Sequence, residues 1–216
     1  MATNLIQELV ELFMGFPGIG PRQARRFVEY LVRQSPERIN KLTRALEALG
    51  RDTRHCEQCG RWFVLNGQTD STAGLNLCSI CRDPNRETGT LLVVEKDVDL
   101  DNIERSGDHH GHYFVLTMPA PIIKADMIKN SPALTRLLQT IERGAKETGL
   151  KEVILAFPAT EESQYLTTIL KEFLHPTIEE HKLRLSTLGR GLATGLELEY
   201  SDTETLHHAL KNRQSL

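Results

Sequence analysis

The chain contains four cysteines, Cys56, Cys59, Cys78 and Cys81, and they form two CxxC pairs separated by 18 residues. Two residues between cysteines let both thiolates of a pair reach one metal from a single turn. Two such turns complete a tetrahedral four-sulfur shell, the closed geometry of structural zinc. A disulfide scaffold would be smaller, secreted and richer in cysteine, and a redox CxxC would need only one pair. The spacing therefore predicts one structural Zn(2+) per chain. With four thiolates in the shell no position is left for water, so zinc catalysis is not expected. His55 adjoins the first pair and reads as a neighbour of the site, not a ligand.

A second constellation lies near the start. Phe16-Pro17-Gly18-Ile19-Gly20-Pro21 separates two helical patterns. Glycines there permit positive φ and close backbone approach, and a tight turn before a helix can offer backbone N–H groups to a phosphate. The helix that follows is two-faced. Ala24, Phe27, Val28 and Leu31 share one side, and Arg22, Arg25, Arg26 and Arg33 the other. Positions 22, 26 and 33 fall within about 40° at ~3.6 residues per turn. Gly18, Gly20, Arg22, Arg25 and Arg26 are accordingly the candidate DNA-binding residues, through charge and without reading bases. The bland alternative is a helical corner with a solvated basic face.

A third group is acidic. Glu95 ends a short apolar strand, and Asp97, Asp99 and Asp101 follow. A strand-end carboxylate can hold Mg²⁺ in phosphoryl-transfer enzymes, given partners on a neighbouring strand end. The equivalent end reads Leu155-Ala156-Phe157-Pro158-Ala159, with no carboxylate until Glu161. Asp97 and Asp99 read as acids favoured at a helix start. His109, His110 and His112 are expected in a solvent-facing turn.

The elements that position these groups follow from periodicity. Helices are expected over about 4–14, 22–33, 36–50, 99–106, 133–145, 161–173 and 203–211, the third opened by Ser35-Pro36. Strands are expected at 91–94, 113–116, 153–156, 183–186 and 196–200. Their alternation with helices implies a parallel α/β sheet covered on both faces. No apolar run approaches the ~18 residues of a membrane span, and the start of the chain lacks signal-peptide features, so the protein reads as cytoplasmic. Residues 1–86 hold 12 Lys+Arg against 9 Asp+Glu, and residues 87–216 hold 14 against 20. A polyanion would meet the basic front, and the acidic back suits protein contacts.

The order of hairpin, CxxC…CxxC module, Val93-Val94-Glu95 at a strand end and Gly195-Leu196-Glu197-Leu198-Glu199-Tyr200 near the end resembles the RecR family of bacterial recombination mediators along essentially the whole chain. Phe16 to Arg22 matches the family's hairpin, with Arg22 where lysine is usual. Leu92 to Leu100 resembles the first Toprim motif, Val153 to Glu161 the third strand and its turn, and Gly191 to Asp202 with Thr205-Leu206 the C-terminal motif. The resemblance implies a multidomain α/β protein: a helix-hairpin-helix domain over 1–54, a four-cysteine zinc finger over 55–82, a Toprim-like α/β domain over 83–186, and a Walker-B-like segment with a helix over 187–216.

It also implies a DNA clamp for single- and double-stranded DNA, a homotetrameric ring (or a dimer in solution) built through N-terminal helices and C-terminal regions. Such a clamp works with RecO and RecF to load RecA on gapped DNA. The Toprim surface, with Glu95 and Glu161, would dock RecO. The sequence departs from the family pattern at Phe157, Glu162 and Ser163 after the third strand, at Pro119 to Ile123, and at Ala193 and Leu196 of the C-terminal motif. Two other readings compete: a Toprim-type Mg²⁺-dependent nuclease or primase using Glu95, and a zinc adaptor that meets only proteins.

Overall fold

A computed structural model describes residues 4–65, 76–118, 125–189, 191–192, 195 and 197–213. The departures at Pro119 to Ile123, Ala193 and Leu196 lie outside the described residues. The chain forms two compact units. One holds the residues up to Thr53 together with Val64; the other holds Arg54–Phe63 and the chain from Asn76 onward.

The first unit is helical: α1 (Leu5–Met14), α2 (Pro21–Val32) and α3 (Pro36–Asp52). The Asn4 side chain caps α1 by accepting from the Ile6 N–H, and proline opens both α2 and α3. Val10, Ala24 and Val28 are buried between α1 and α2, with Leu9, Phe13 and Ile19 against them. Phe13 also meets Phe27 edge-on, with ring centroids 5.7 Å apart. By contrast α3 buries none of its residues. Its stripe Leu42, Leu46 and Leu49 stays exposed.

The second unit is built on a four-stranded parallel sheet. In chain order its elements begin with β1 (Thr53–His55), which starts at the end of the first unit, and β2 (Trp62–Val64), which runs back into it; these two form a separate two-stranded sheet. Then come α4 (Ser79–Arg82), β3 (Thr90–Val94), α5 (Asp97–Ser106), β4 (His112–Val115), α6 (Ala125–Lys129), α7 (Pro132–Arg143), β5 (Glu152–Leu155), α8 (Glu161–Glu180), β6 (Arg184–Thr187) and α9 (Thr203–Lys211). The large sheet has the order β4-β3-β5-β6, with Leu92 beside Tyr113 on one flank and Ile154 on the other.

Period-two alternation divides the sheet's side chains between two cores. Leu91, Val93, Phe114, Val153 and Leu155 pack on Ile128, Leu134, Leu137, Ile141 and the buried stripe of α8. Leu92, Val94, Tyr113 and Val115 face the other way, onto Leu100 of α5 and onto Cys56, Cys59, Cys78 and Ile80. The cysteine segment therefore covers a sheet face where another α/β protein would place a helix.

Three expectations are corrected. Of the strand expected at 196–200, the described residues 197–200 are not a strand: Leu198–Tyr200 form a 3-10 turn, closed by the Ser201 N–H on the Leu198 carbonyl at 3.2 Å. Alternation alone does not make a strand; a ladder partner is needed, and among the described residues this segment has none. α8 runs to Glu180, through Pro176, because Leu174, Thr177 and Ile178 beyond the expected stop are buried. His109 and His112 do not sit in solvent: the His109 ring meets Tyr113 edge-on at 4.8 Å, and its Nε2 lies 3.2 Å from the His112 carbonyl oxygen.

Candidate functional site

The four cysteines converge in the second unit. β1 and β2 flank the first pair. The knuckle between them is closed by the Cys56 N–H on the Arg61 carbonyl at 2.8 Å and the Gly60 N–H on the Cys56 carbonyl at 2.9 Å. Gly60 takes φ 81°, which favours glycine. The second pair enters α4, where the Arg82 N–H reaches the Cys78 carbonyl at 3.1 Å. All four sulfurs lie within 4.8 Å of one another. Cys59 Sγ and Cys78 Sγ are 3.7 Å apart, and the Cys78 N–H points at Cys56 Sγ at 3.4 Å. A disulfide would need ~2.05 Å, whereas the edge of a tetrahedron with ~2.3 Å metal–sulfur arms is about 3.8 Å. Four cysteines so placed can hold a metal ion, and an all-sulfur tetrahedral set suits zinc.

The electrostatics of the cluster agree. Four thiols in contact cannot all keep ordinary values. Hydrogen bonds from Cys59, Cys78 and Cys81 hold Cys56 far below the usual thiol range. At Cys78 the Cys56 sulfur pushes upward, but hydrogen bonds from Cys59 and Cys81 outweigh it, and the net shift is down to about 7. Cys59 and Cys81 are pushed up, Cys59 chiefly by its bond to Cys56. The shifts favour the thiolate at Cys56 and Cys78, and a divalent cation would draw protons off all four.

The cluster is fixed to the sheet. The Val115 N–H donates to the Cys59 carbonyl at 2.7 Å, and Arg61 pairs with Asp101 of α5 at 2.8 Å. The Arg136 guanidinium lies over the Phe114 ring, 5.8 Å from its centroid. His55 is not drawn into the cluster; its ring packs edge-on to Trp62 at 4.7 Å. Its pKa is lowered, by burial first and by Arg136 second.

In the first unit the hairpin is as tight as its glycines suggest. Gly18 has φ 75°, and the Ile19 N–H closes the turn on the Phe16 carbonyl at 3.1 Å. Gly20 caps α2, with no heavy atom within 4 Å of where its Cβ would be. The first hydrogen bond of α2 runs from the Ala24 N–H to the Gly20 carbonyl at 3.0 Å, so the N–H groups of Arg22 and Gln23 precede the helical ladder. Arg22, Arg25 and Arg26 are exposed opposite buried Ala24 and Val28. Arg25 pairs with Glu29 at 3.4 Å, an exposed pair that solvent weakens.

Glu95 follows β3 directly, and its buried Oε1 has no hydrogen-bond partner among the described atoms. Asp97 and Asp99 occupy the first turn of α5, as expected of helix-start acids. Burial raises the pKa of Asp97, against the opposing charge of Arg61. Glu161 opens α8 and is exposed. Sequence reasoning missed the Arg86–Glu104 pair, whose guanidinium also lies 5.8 Å from the Tyr113 ring centroid. Nothing in the spacing of residues 86, 104 and 113 signals that meeting.

Fold and sites together define a class: a helix-hairpin-helix unit joined in one chain to a parallel α/β sheet that carries a four-cysteine cluster able to hold a metal ion. A family model described as RecR, helix-hairpin-helix matches residues 6–49, and one described as RecR, C-terminal matches residues 191–214. Recombination protein RecR of Legionella pneumophila subsp. pneumophila is 35% identical over 216 residues, covering 99% of this chain and 98% of the relative. Recombination protein RecR of Orientia tsutsugamushi strain Ikeda is 32% identical over 213 residues, covering 99% and 96%. That of Paracoccus denitrificans is 34% identical over 215 residues, covering 100% and 98%. The chain belongs to the RecR family.

Proposed function

We propose that the protein is a DNA-binding recombination mediator acting in recombinational DNA repair, with one structural Zn(2+) on Cys56, Cys59, Cys78 and Cys81 and no catalytic activity of its own. The observation that carries this reading is the hairpin. Exposed Arg22, Arg25 and Arg26 stand beside unladdered backbone N–H groups, at a turn held by Gly18 and open at Gly20. Such a surface meets phosphates without reading bases, so single- and double-stranded DNA are both bound.

In this reading the chain works in four parts: a helix-hairpin-helix domain over 1–54, a zinc finger over 55–82, a Toprim-like domain over 83–186 and a Walker-B-like segment with its helix over 187–216. Several chains close into a ring, a homotetramer. The exposed stripe Leu42, Leu46 and Leu49 of α3, with exposed Leu5 and Leu12 of α1, supports assembly through the N-terminal helices, because clustered exposed apolar side chains mark interaction sites. Leu198 and Tyr200 are exposed in the C-terminal part as well. The ring acts with RecO, and with RecF, to help load RecA on gapped DNA, and Glu95 and Glu161 belong to the surface that meets RecO. Among the described residues no helix is long and apolar enough to cross a membrane. We place the protein in the cytoplasm, at the nucleoid.

The test is RecA filament formation on gapped DNA coated with single-strand-binding protein. Adding this protein with RecO should shorten the nucleation lag, and Arg22→Ala with Arg26→Ala should abolish the gain. An unchanged lag with the wild-type protein would refute the mediator role.

A further inference from the structure

The carboxyl-terminal ends of β5 and β6 open into a cleft used by neither the metal centre nor the hairpin. It has two chambers, of about 400 Å³ and about 230 Å³, which share Thr167, Thr187, Leu188 and Gly189 along their boundary. Clefts outside the carboxyl ends of parallel strands are the common ligand sites of open α/β sheets, and these volumes fall near the usual range for small-molecule pockets.

The chambers differ in chemistry. The larger is lined by Gln164 and Lys171 from α8 and by His208, Lys211 and Asn212 from α9. Gln164 and Lys171 are seven residues apart, so they share one helix face. Lys171 of α8 and Lys211 of α9 both line it, and no carboxylate is found among the described lining residues. That is unusual in a half of the chain where 14 Lys+Arg face 20 Asp+Glu. Two ammonium groups lining one chamber favour an anion between them. The smaller chamber is walled by Leu155, Phe157 and Ala159, and Phe157 also packs against the main core. At the boundary the Thr167 hydroxyl donates to the Ser163 carbonyl at 2.7 Å, which leaves its oxygen lone pairs as acceptors.

From one end to the other the cleft presents cations and amides, then a hydroxyl acceptor, then an aromatic and aliphatic wall. We propose that it binds a nucleotide, with phosphate at Lys171 and Lys211, sugar hydroxyls at Thr167, and base against Phe157. An inorganic anion would leave the apolar chamber unused, and an apolar ligand would leave the two lysines unpaired. The same chemistry is offered by a free mononucleotide and by an unstacked nucleotide of a single strand. Phe157 is one of the positions at which the sequence departs from its family's usual polar turn.

The test is calorimetric titration of full-length, zinc-loaded protein carrying Arg22→Ala and Arg26→Ala, which removes the hairpin's contribution and makes the result independent of the function proposed above. AMP should bind at least tenfold more tightly than inorganic phosphate or adenosine. Lys171→Ala with Lys211→Ala should weaken AMP at least tenfold and leave adenosine unchanged. Phe157→Leu, which keeps apolar bulk, should weaken AMP and adenosine alike. A single-stranded oligonucleotide that displaces AMP identifies the strand as the source; failure to displace it identifies the free nucleotide. AMP binding no tighter than phosphate, or unchanged by the lysine substitutions in a folded protein, would overturn the proposal.

Discussion

Gly60 sits where the cysteine cluster meets the sheet, and two constraints act on it at once. Its φ is 81°, and a Cβ there would lie 3.0 Å from an Arg136 guanidinium nitrogen and 3.1 Å from the Val115 carbonyl oxygen. Gly60→Ala should therefore cost roughly 1–3 kcal/mol and loosen metal binding. Thermal unfolding with metal titration would show it; an unchanged midpoint would mean the knuckle is not held as described. The half-buried His109 and His112 give a pH signature. Burial lowers the pKa of both His109 and His112, with Arg86 adding to the effect at His112. A histidine whose folded pKa is depressed leaves stability intact above its unfolded value of 6.5 and costs stability as pH falls below it. His109→Gln with His112→Gln should thus flatten the acid limb of stability against pH below that value, relative to wild type; parallel curves would contradict the burial. Glu95→Gln should have no catalytic consequence, and robust Mg²⁺-dependent nuclease activity lost in that variant would contradict the non-enzymatic reading. At this scale the cysteines were legible because ligand spacing is local. The partners Arg61–Asp101 and Arg86–Glu104 were not, because each joins residues from separate elements and leaves no period in the chain.

Among the elements, the cysteine segment has the largest structural consequence. It covers the Leu92, Val94, Tyr113 and Val115 face of the sheet, so loss of metal should uncover more than its own turns. Cys78→Ser should release the ion, raise protease sensitivity around residues 55–82 and create dye-binding apolar surface. Structural zinc contributes on the order of 10 kcal/mol, and each kcal/mol is worth roughly 2–4 °C in a domain of this size, so the unfolding midpoint should drop by about 20 °C or more. Fully folded, metal-free protein by elemental analysis would end the zinc assignment. The longer helices and the four paired strands of the large sheet were readable because 3.6- and 2-residue periods report faces directly, whereas α4 and α6, of four and five residues, are too short to show a period. Residues 196–200 show the limit of that signal: Leu196, Leu198 and Tyr200 alternate with glutamates, yet pairing is decided by a neighbour that periodicity does not supply. The end of α8 was misread for a related reason. Pro176 suggests a stop, but burial of Leu174, Thr177 and Ile178 keeps the helix together beyond it.

For the whole molecule, in the proposed reading, affinity for DNA depends on how many hairpins act together. A single chain offers few phosphate contacts, and an assembly multiplies them. The Leu42, Leu46 and Leu49 stripe was legible in the sequence as an apolar period, but one chain's pattern does not reveal that the stripe stays exposed. Leu46→Glu should lower the molar mass in solution and weaken DNA binding together, as light scattering alongside binding would show; unchanged mass would exclude α3 from the assembly. The central claim, that the hairpin is the DNA surface, is tested most directly by a salt series of binding to duplex and single-stranded DNA. Each neutralised phosphate contributes a log–log slope of about −0.9 on duplex and about −0.7 on single strands. Wild type should bind all sequences alike with a steep slope, and Arg22→Ala with Arg26→Ala should weaken binding uniformly and flatten that slope while zinc content and fold stay intact. A double variant that bound both DNA forms as tightly as wild type across the series would contradict the account.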